Sequence, residues 1–211
     1  PGLIAADADA GLVEVGGERQ TVDDTVRKES VAPAFRSIDG FNPLSVHVPI
    51  DRAQGVTSEV LTPHGSLLRG QGFIVDMSGT LASAARAKRA AMFAGYGDGA
   101  RDAAGGARGA VLLQLRELFD DVRFYAKNKA AYDKAQTRRL SMSRVNLEAM
   151  IDVVDGKLPL VFDVERASDI LELIAFADEQ HVRIVVDCGR EAWMVASELA
   201  LAKVPVILEP M

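Results

Sequence analysis

The stretch 158–209 constrains the fold of this chain most strongly, because apolar strands and amphipathic helices alternate along it. Three runs, 158–164, 182–188 and 204–209, are short, apolar and rich in β-branched residues, which is typical of buried strands. Helical patterns over 168–180 and 190–203 separate them. This alternation indicates βα units in a parallel sheet. An open doubly wound sheet and a (β/α)8 barrel both fit it.

The remaining elements carry weaker signals. We predict strands over 3–6, 56–61 and 73–77, and helices over 43–54, 81–93, 111–138 and 147–154. Residues 95–109 hold six glycines, which favours a mobile loop. A complete barrel needs about 250 residues. A 211-residue chain would therefore hold only the first five or six βα units, as one partial domain over 1–211. We expect a fragment of a larger protein.

The composition excludes several classes of function. The formal net charge of −6 and the pI near 5.1 argue against a nucleic-acid-binding surface and against an anionic membrane surface. No apolar run approaches the roughly 18–20 residues of a membrane span. The single cysteine, Cys188, cannot form an internal disulfide, and this fits either the cytosol or the periplasm.

Two aspartates follow directly on the first predicted strand. Asp7 and Asp9 are two residues apart, so an extended backbone points both side chains to the same side. Ligands of α/β folds bind at the carboxyl ends of strands. Paired carboxylates there suit a hard cation such as Mg²⁺, Ca²⁺ or Mn²⁺, or general acid–base chemistry. The alternative is that they cap the following turn or pair with arginine or lysine.

Similar residues end two later strands. Asp163 ends the run 158–164, with Glu165 two residues on, and Asp187 and Cys188 end the run 182–188. Because parallel strands end at one edge of a sheet, these side chains could converge with the first pair. The alternative is that strand ends are polar because loops begin there. Cys188 could be a thiolate ligand, although buried free cysteines are commonly inert.

No histidine-rich zinc motif is visible. The three histidines, His47, His64 and His181, are far apart and form no HxH or HExxH pattern. The glycine-containing stretch HGSLLRGQG, 64–72, lacks the spacing of a phosphate-binding loop. We therefore interpret it as a structural turn.

With these residues in view, the chain resembles the imidazolonepropionase-like branch of the metal-dependent amidohydrolases. The resemblance rests on PGLIAADADAGL at 1–12, FRSIDGFNP at 35–43, GVTSEVLTPHGSLLRGQGFIVDMSG at 55–79, GKLPLVFDVERASDI at 156–170 and VRIVVDCGREAW at 182–193. It implies a TIM (β/α) barrel. It also implies metal-assisted hydrolysis of a C–N bond in a small amide or cyclic amide.

The same resemblance implies where the metal ligands would stand. Two histidines of the family's first strand correspond here to Asp7 and Asp9, and a histidine of a later strand corresponds to Asp163. The next strand would place a further ligand at Cys188. Zinc sites favour imidazole and thiolate, so these replacements leave two outcomes: a site for Zn²⁺, Mn²⁺ or Mg²⁺, or no metal.

Three functional hypotheses follow. The chain could be an active amidohydrolase, or a catalytically inactive homologue that serves as a binding or partner subunit. In the second case we expect a homo-oligomer or a pair with an active homologue. The third hypothesis is a doubly wound α/β binding domain without relation to amidohydrolases.

Overall fold

The computed structural model describes residues 2–208 as a six-stranded mixed sheet with seven α-helices. The strands are β1 Leu3–Ala8, β2 Val56–Leu61, β3 Leu68–Asp76, β4 Lys88–Gly95, β5 Leu160–Val164 and β6 Ile184–Cys188. The helices are α1 His47–Ala53, α2 Ala82–Arg86, α3 Asp98–Ala103, α4 Arg108–Asp133, α5 Arg144–Val154, α6 Ala167–Gln180 and α7 Ala196–Ala202. Short 3₁₀ turns cover Arg19–Thr21, Ser37–Gly40 and Ala192–Val195.

The strands lie side by side in chain order, and one of them runs against the others. β3 is antiparallel to both β2 and β4, whereas β1–β2, β4–β5 and β5–β6 are parallel pairs. Five strands therefore point the same way. Their carboxyl ends and the amino end of β3 share one edge of the sheet, which we call the rim.

The largest core lies between the sheet and helices α4, α5 and α6. Phe162 of β5 is fully buried there and meets Phe176 of α6 edge to face, with ring centroids 6.5 Å apart. Phe119 of α4 also meets the Phe176 ring edge to face, with ring centroids 5.4 Å apart. The predicted strands over 158–164 and 182–188 and the predicted helices over 111–138, 147–154 and 168–180 are confirmed, with boundaries shifted by a few residues.

The opposite face of the sheet, which we call the inner face, has a small apolar core of its own. Val161 packs there with Ala91 and Phe93 of β4, and Val185 lies against them. Side chains alternate along a strand. The residues that follow at the strand ends, Asp163 and Asp187, are therefore directed to the inner face at the rim, and they are register partners.

Two predictions between residues 81 and 109 are wrong. The predicted helix over 81–93 is helical only in α2, because 88–95 form the central strand β4. Its alanines favour a helix, but Ala91 and Phe93 fill the inner face while Met92 fills the helix-covered face. Burial on both faces overrides helix propensity. The predicted mobile loop over 95–109 contains α3 and the start of α4.

The predicted turn 64–72 and the last predicted strand also differ from the structure. β3 begins at Leu68, inside the predicted turn. Gly70 has a φ of +129° and approaches the Phe35 carbonyl so closely that a Cβ would lie 2.7 Å from it, so only glycine fits. Of the predicted strand 204–209, Val206 alone bridges Val186, and Glu209 lies outside the described residues.

No helix within residues 2–208 combines the length and the apolar character that crossing a bilayer requires.

Candidate functional site at the strand-end rim

Asp7 and Asp9 reach the rim at the end of β1. The pairing of β1 with β2 is irregular between Ala5 and Ala8, and the Ala8 carbonyl accepts a hydrogen bond from the Thr62 backbone. The Asp9 carbonyl accepts hydrogen bonds from the backbone N–H groups of Leu12 and Val13 in the turn that follows. Neither aspartate side chain forms an ion pair or a hydrogen bond within residues 2–208. The predicted pairing with arginine or lysine is therefore not observed there.

Asp163 is bound by an arginine that the sequence did not single out. The Arg69 guanidinium donates through Nη2 to Asp163 Oδ2 at 2.5 Å. Arg69 lies at the amino end of the antiparallel strand β3, which is at the rim. Because β4 separates β3 from β5, the side chain reaches Asp163 across the end of β4. Only 11% of that side chain is exposed. A largely buried cation therefore neutralises the carboxylate that family resemblance would assign to a metal.

Gly95 makes the approach of Arg69 possible. It ends β4 beside Asp163, and a Cβ added to it would lie 3.1 Å from Arg69 Nη2 and 2.4 Å from the Ser66 carbonyl. Any side chain at this position would push the arginine or the neighbouring backbone away. The ion pair thus depends on a glycine in the adjacent strand.

The end of β6 presents Asp187 to the inner face. Asp187 is 4% exposed and accepts a hydrogen bond from the Cys188 backbone at 3.0 Å. Cys188 is half-buried and has a φ of +70°, a left-handed conformation that ends the strand. The register therefore directs Asp187, rather than Cys188, to the same face as Asp163.

His64 adds an imidazole to the rim just after β2. Its Nδ1 lies 3.0 Å from Oδ2 of the buried Asp24. The hydrogen bond to Asp24 is the main reason why the pKa of His64 is raised above its ordinary value, while burial lowers it. The Arg69 charge lowers that pKa and the Asp7 charge raises it, so these groups interact across the rim.

A second buried acid lies away from the rim. Glu59 in the middle of β2 is 2% exposed, and its Oε2 has no hydrogen-bond partner. Burial, followed by the charges of Asp51 and Asp9, raises its pKa to about 7. It lies on the same face of β2 as Leu61, which packs against Val48 of α1.

The residues at the rim do not fit the implied metal. Among residues 2–208, no three histidine, cysteine, aspartate or glutamate side chains gather in a way that could hold a metal ion. Asp163 is already engaged by Arg69. A divalent ion would need several anionic or imidazole ligands in one place. The assignment of Asp7, Asp9, Asp163 and Cys188 as ligands stays a prediction.

Sequence reasoning missed Arg69, His64 and Asp24. The first two lie in the stretch interpreted as a structural turn. The sequence held one signal for them. The stretch 64–72 comes soon after the predicted strand 56–61, and the carboxyl end of a strand lies at the rim. Asp24 could not be found, because it reaches the rim only through contacts between a loop and the end of β2.

The described fold is similar to that of a solved amidohydrolase. The chain is similar to the crystal structure of an amidohydrolase from Thermotoga maritima MSB8, with a TM-score of 0.86 and 27% sequence identity. All of this chain is covered, and it spans 57% of the length of that amidohydrolase. No protein-family model and no curated protein matches the sequence.

This similarity supports the predicted relationship to the amidohydrolase superfamily and the predicted α/β fold, as a curled part of a barrel. It also speaks against the third hypothesis, a doubly wound binding domain.

Proposed function

We propose that this chain is an amidohydrolase-related protein that holds no catalytic metal at the rim and acts as a binding or partner subunit. The observation that carries this proposal is the contact of Arg69 with Asp163 at 2.5 Å. It places a fixed cation at one of the four positions where the family resemblance implies a metal ligand. We further place the chain near the imidazolonepropionase-like branch, on the sequence motifs alone.

The electrostatics of this pair disfavour metal uptake. A metal at Asp163 would have to displace Arg69 from its carboxylate. That would leave a guanidinium, whose Nε already has no hydrogen-bond partner, buried beside a divalent ion. An unpaired buried charge typically costs about 3–5 kcal/mol. Of the three remaining positions, Asp7 and Asp9 offer only oxygen, which zinc sites rarely use alone. Cys188 is a thiol, but the register of β6 does not direct it to the face of Asp163.

The competing function is metal-assisted hydrolysis of a C–N bond in a small amide. One observation favours it: the Asp7 and Asp9 carboxylates stand at the rim without a cation among the described residues. In this case a hard ion such as Mg²⁺ or Mn²⁺ would bind the first pair and leave Arg69 with Asp163. The two functions therefore differ in metal content.

Metal analysis of the purified protein separates them. After incubation with Zn²⁺, Mn²⁺ or Mg²⁺ and gel filtration, we expect far less than one metal ion per chain, and no hydrolysis of amides or cyclic amides. One tightly held ion per chain would overturn the proposal. Light scattering on the same preparation measures whether the chain forms a homo-oligomer, which is one of the two assemblies expected of a partner subunit.

A matched pair of variants tests the role of Arg69. Arg69→Met frees the Asp163 carboxylate, and we expect it to take up more Mn²⁺ than the wild-type protein. Arg36→Met removes an exposed arginine that pairs with Asp39 and lies over the Phe73 ring, and that makes no contact with Asp163 among the described residues. It should leave metal uptake unchanged. Equal uptake by both variants would show that Arg69 does not exclude the ion.

A further inference from the structure

We propose that His64 is a general base at the rim that works without a metal and promotes the hydrolysis of small activated esters. This goes beyond the proposed function, which gives the chain a binding or partner role without metal-assisted amide hydrolysis. The proposal rests on three observations: how His64 is held, what its second ring nitrogen faces, and which charges surround it.

His64 is held at three points by its neighbours. Its backbone N–H donates to the Asp24 carbonyl at 2.8 Å, and its own carbonyl accepts from the Thr25 hydroxyl at 2.9 Å. The ring Nδ1 lies 3.0 Å from Asp24 Oδ2. A carboxylate at Nδ1 keeps the proton on that nitrogen, so the neutral ring presents a lone pair at Nε2. A base that is oriented by a third group is the usual arrangement in hydrolytic sites.

The second ring nitrogen is accessible. Within residues 2–208, His64 Nε2 has no hydrogen-bond partner, and 45% of the side chain is exposed. The other histidines differ. His47 Nε2 already contacts the Glu14 carbonyl at 3.0 Å, and His181 caps the end of α6 with no carboxylate partner among the described residues. Of the three imidazoles, only His64 is both oriented by a carboxylate and open at the opposite nitrogen.

The charges around His64 suit proton transfer. The charged groups that face it are Asp24, Arg69 and Asp7. Asp24 stabilises the imidazolium that forms when Nε2 accepts a proton. Arg69 lies at the same rim, but its charge is paired with Asp163. The site therefore offers an oriented base without a metal.

The chemistry balances with water as the only co-reactant. Nε2 accepts a proton from a water molecule as the water oxygen bonds to the ester carbonyl carbon. The tetrahedral intermediate then collapses, the bond from that carbon to the leaving oxygen breaks, and the imidazolium returns the proton to that oxygen. The products are one carboxylic acid and one alcohol. No electron acceptor or donor is required.

Hydrolysis of p-nitrophenyl acetate by the whole chain in EDTA tests this proposal. We expect a rate that rises with pH through the titration of one imidazole, and about a 100-fold loss in His64→Gln. Asp24→Asn should lower both the rate and the apparent pKa of the profile, because the carboxylate that raises it is gone. His181→Asn is the control and should keep the full rate, since asparagine tolerates the left-handed backbone at that position.

Equal rates in wild-type protein and His64→Gln, or no rate above that of free imidazole, would overturn the proposal. Nitrogen NMR of the labelled wild-type protein is an independent check that needs no variant. The proton of neutral His64 must reside on Nδ1, and a proton on Nε2 would contradict the assignment. A rate that appears only without EDTA would overturn both this proposal and the proposed function, whereas no rate under either condition would overturn this proposal alone.

Discussion

The two halves of the sheet are built by different means. In the C-terminal half, parallel strands are covered by α4, α5 and α6, and one continuous apolar core holds them. In the N-terminal half, β2, β3 and β4 are antiparallel, and a loop segment follows β3 through the isolated bridges Thr25↔His64, Val31↔Leu68 and Arg36↔Gln71. The C-terminal half gains stability from that large core. The N-terminal half has a smaller core of its own, which includes Leu61 and Val75, and holds polar groups at the rim through backbone contacts.

The largest effect should come from the core of the C-terminal half. Phe162→Ala removes a fully buried ring that packs on Phe176, and we expect a loss of about 3–5 kcal/mol in the free energy of unfolding. Urea denaturation followed by circular dichroism measures it. Leu201→Ala, at a position that is 86% exposed, is the control. A loss below about 1 kcal/mol for Phe162→Ala would mean that this half does not depend on its core.

A smaller but local effect should come from the contact between the halves. Gly95→Ala places a Cβ 2.4 Å from the Ser66 carbonyl, so the backbone or Arg69 must move. We expect a loss of about 2–3 kcal/mol, because overpacking against backbone is costly. Gly97→Ala faces open space and should be close to neutral. Thermal unfolding of the two variants compares them, and similar melting temperatures would contradict the crowding at position 95.

A buried acid of the N-terminal half should make the stability of the chain depend on pH. Glu59 has a pKa of about 7 in the folded protein, above its ordinary value of 4.5. Its contribution to stability is complete below pH 4.5 and is lost as the pH rises to about 7, because the unfolded chain releases the proton first. We expect a loss of about 2 kcal/mol over this range. In Glu59→Gln this loss of stability with rising pH should vanish. If the free energy of unfolding of the variant falls with pH as steeply as that of the wild-type protein, the role of Glu59 is refuted.

The smallest effect should come from the surface pair between α4 and α6. Arg116 donates three hydrogen bonds to Glu179 through Nε and Nη2, and both side chains are well exposed. The pair lowers the pKa of Glu179, but solvent screens most of its energy. Arg116→Met should change the melting temperature by little more than the error of measurement, and 1 M salt should remove the difference. A large, salt-independent loss would show that α4 docks mainly through this pair.

The same division explains how much of the fold could be predicted. Strands and helices after residue 158 follow from apolar periodicity, because each βα unit buries its own faces with its neighbours. The strand β4 could not be recognised, since KRAAMFAG carries a helical composition and becomes a strand only between β3 and β5. The reversed direction of β3 has no local signal either.

The candidate site was predictable only in part. Position at a strand end suffices to bring Asp7, Asp163 and Asp187 to one rim. Their partners come from long-range contacts: Arg69 is 94 residues from Asp163, and Asp24 meets His64 through a loop bridge. Whether a carboxylate at the rim is unpaired or neutralised therefore depends on tertiary structure.

The left-handed backbone at Cys188 has a consequence for protein engineering. A φ of +70° is tolerated by few residue types, and histidine is among those found there more often than average. Cys188→His would therefore add little backbone strain, so a histidine can be placed where the family resemblance implies a ligand without rebuilding the end of β6. Position 163 is different, since a histidine there would leave Arg69 buried without its carboxylate. An attempt to build a metal centre into this protein should begin by replacing Arg69.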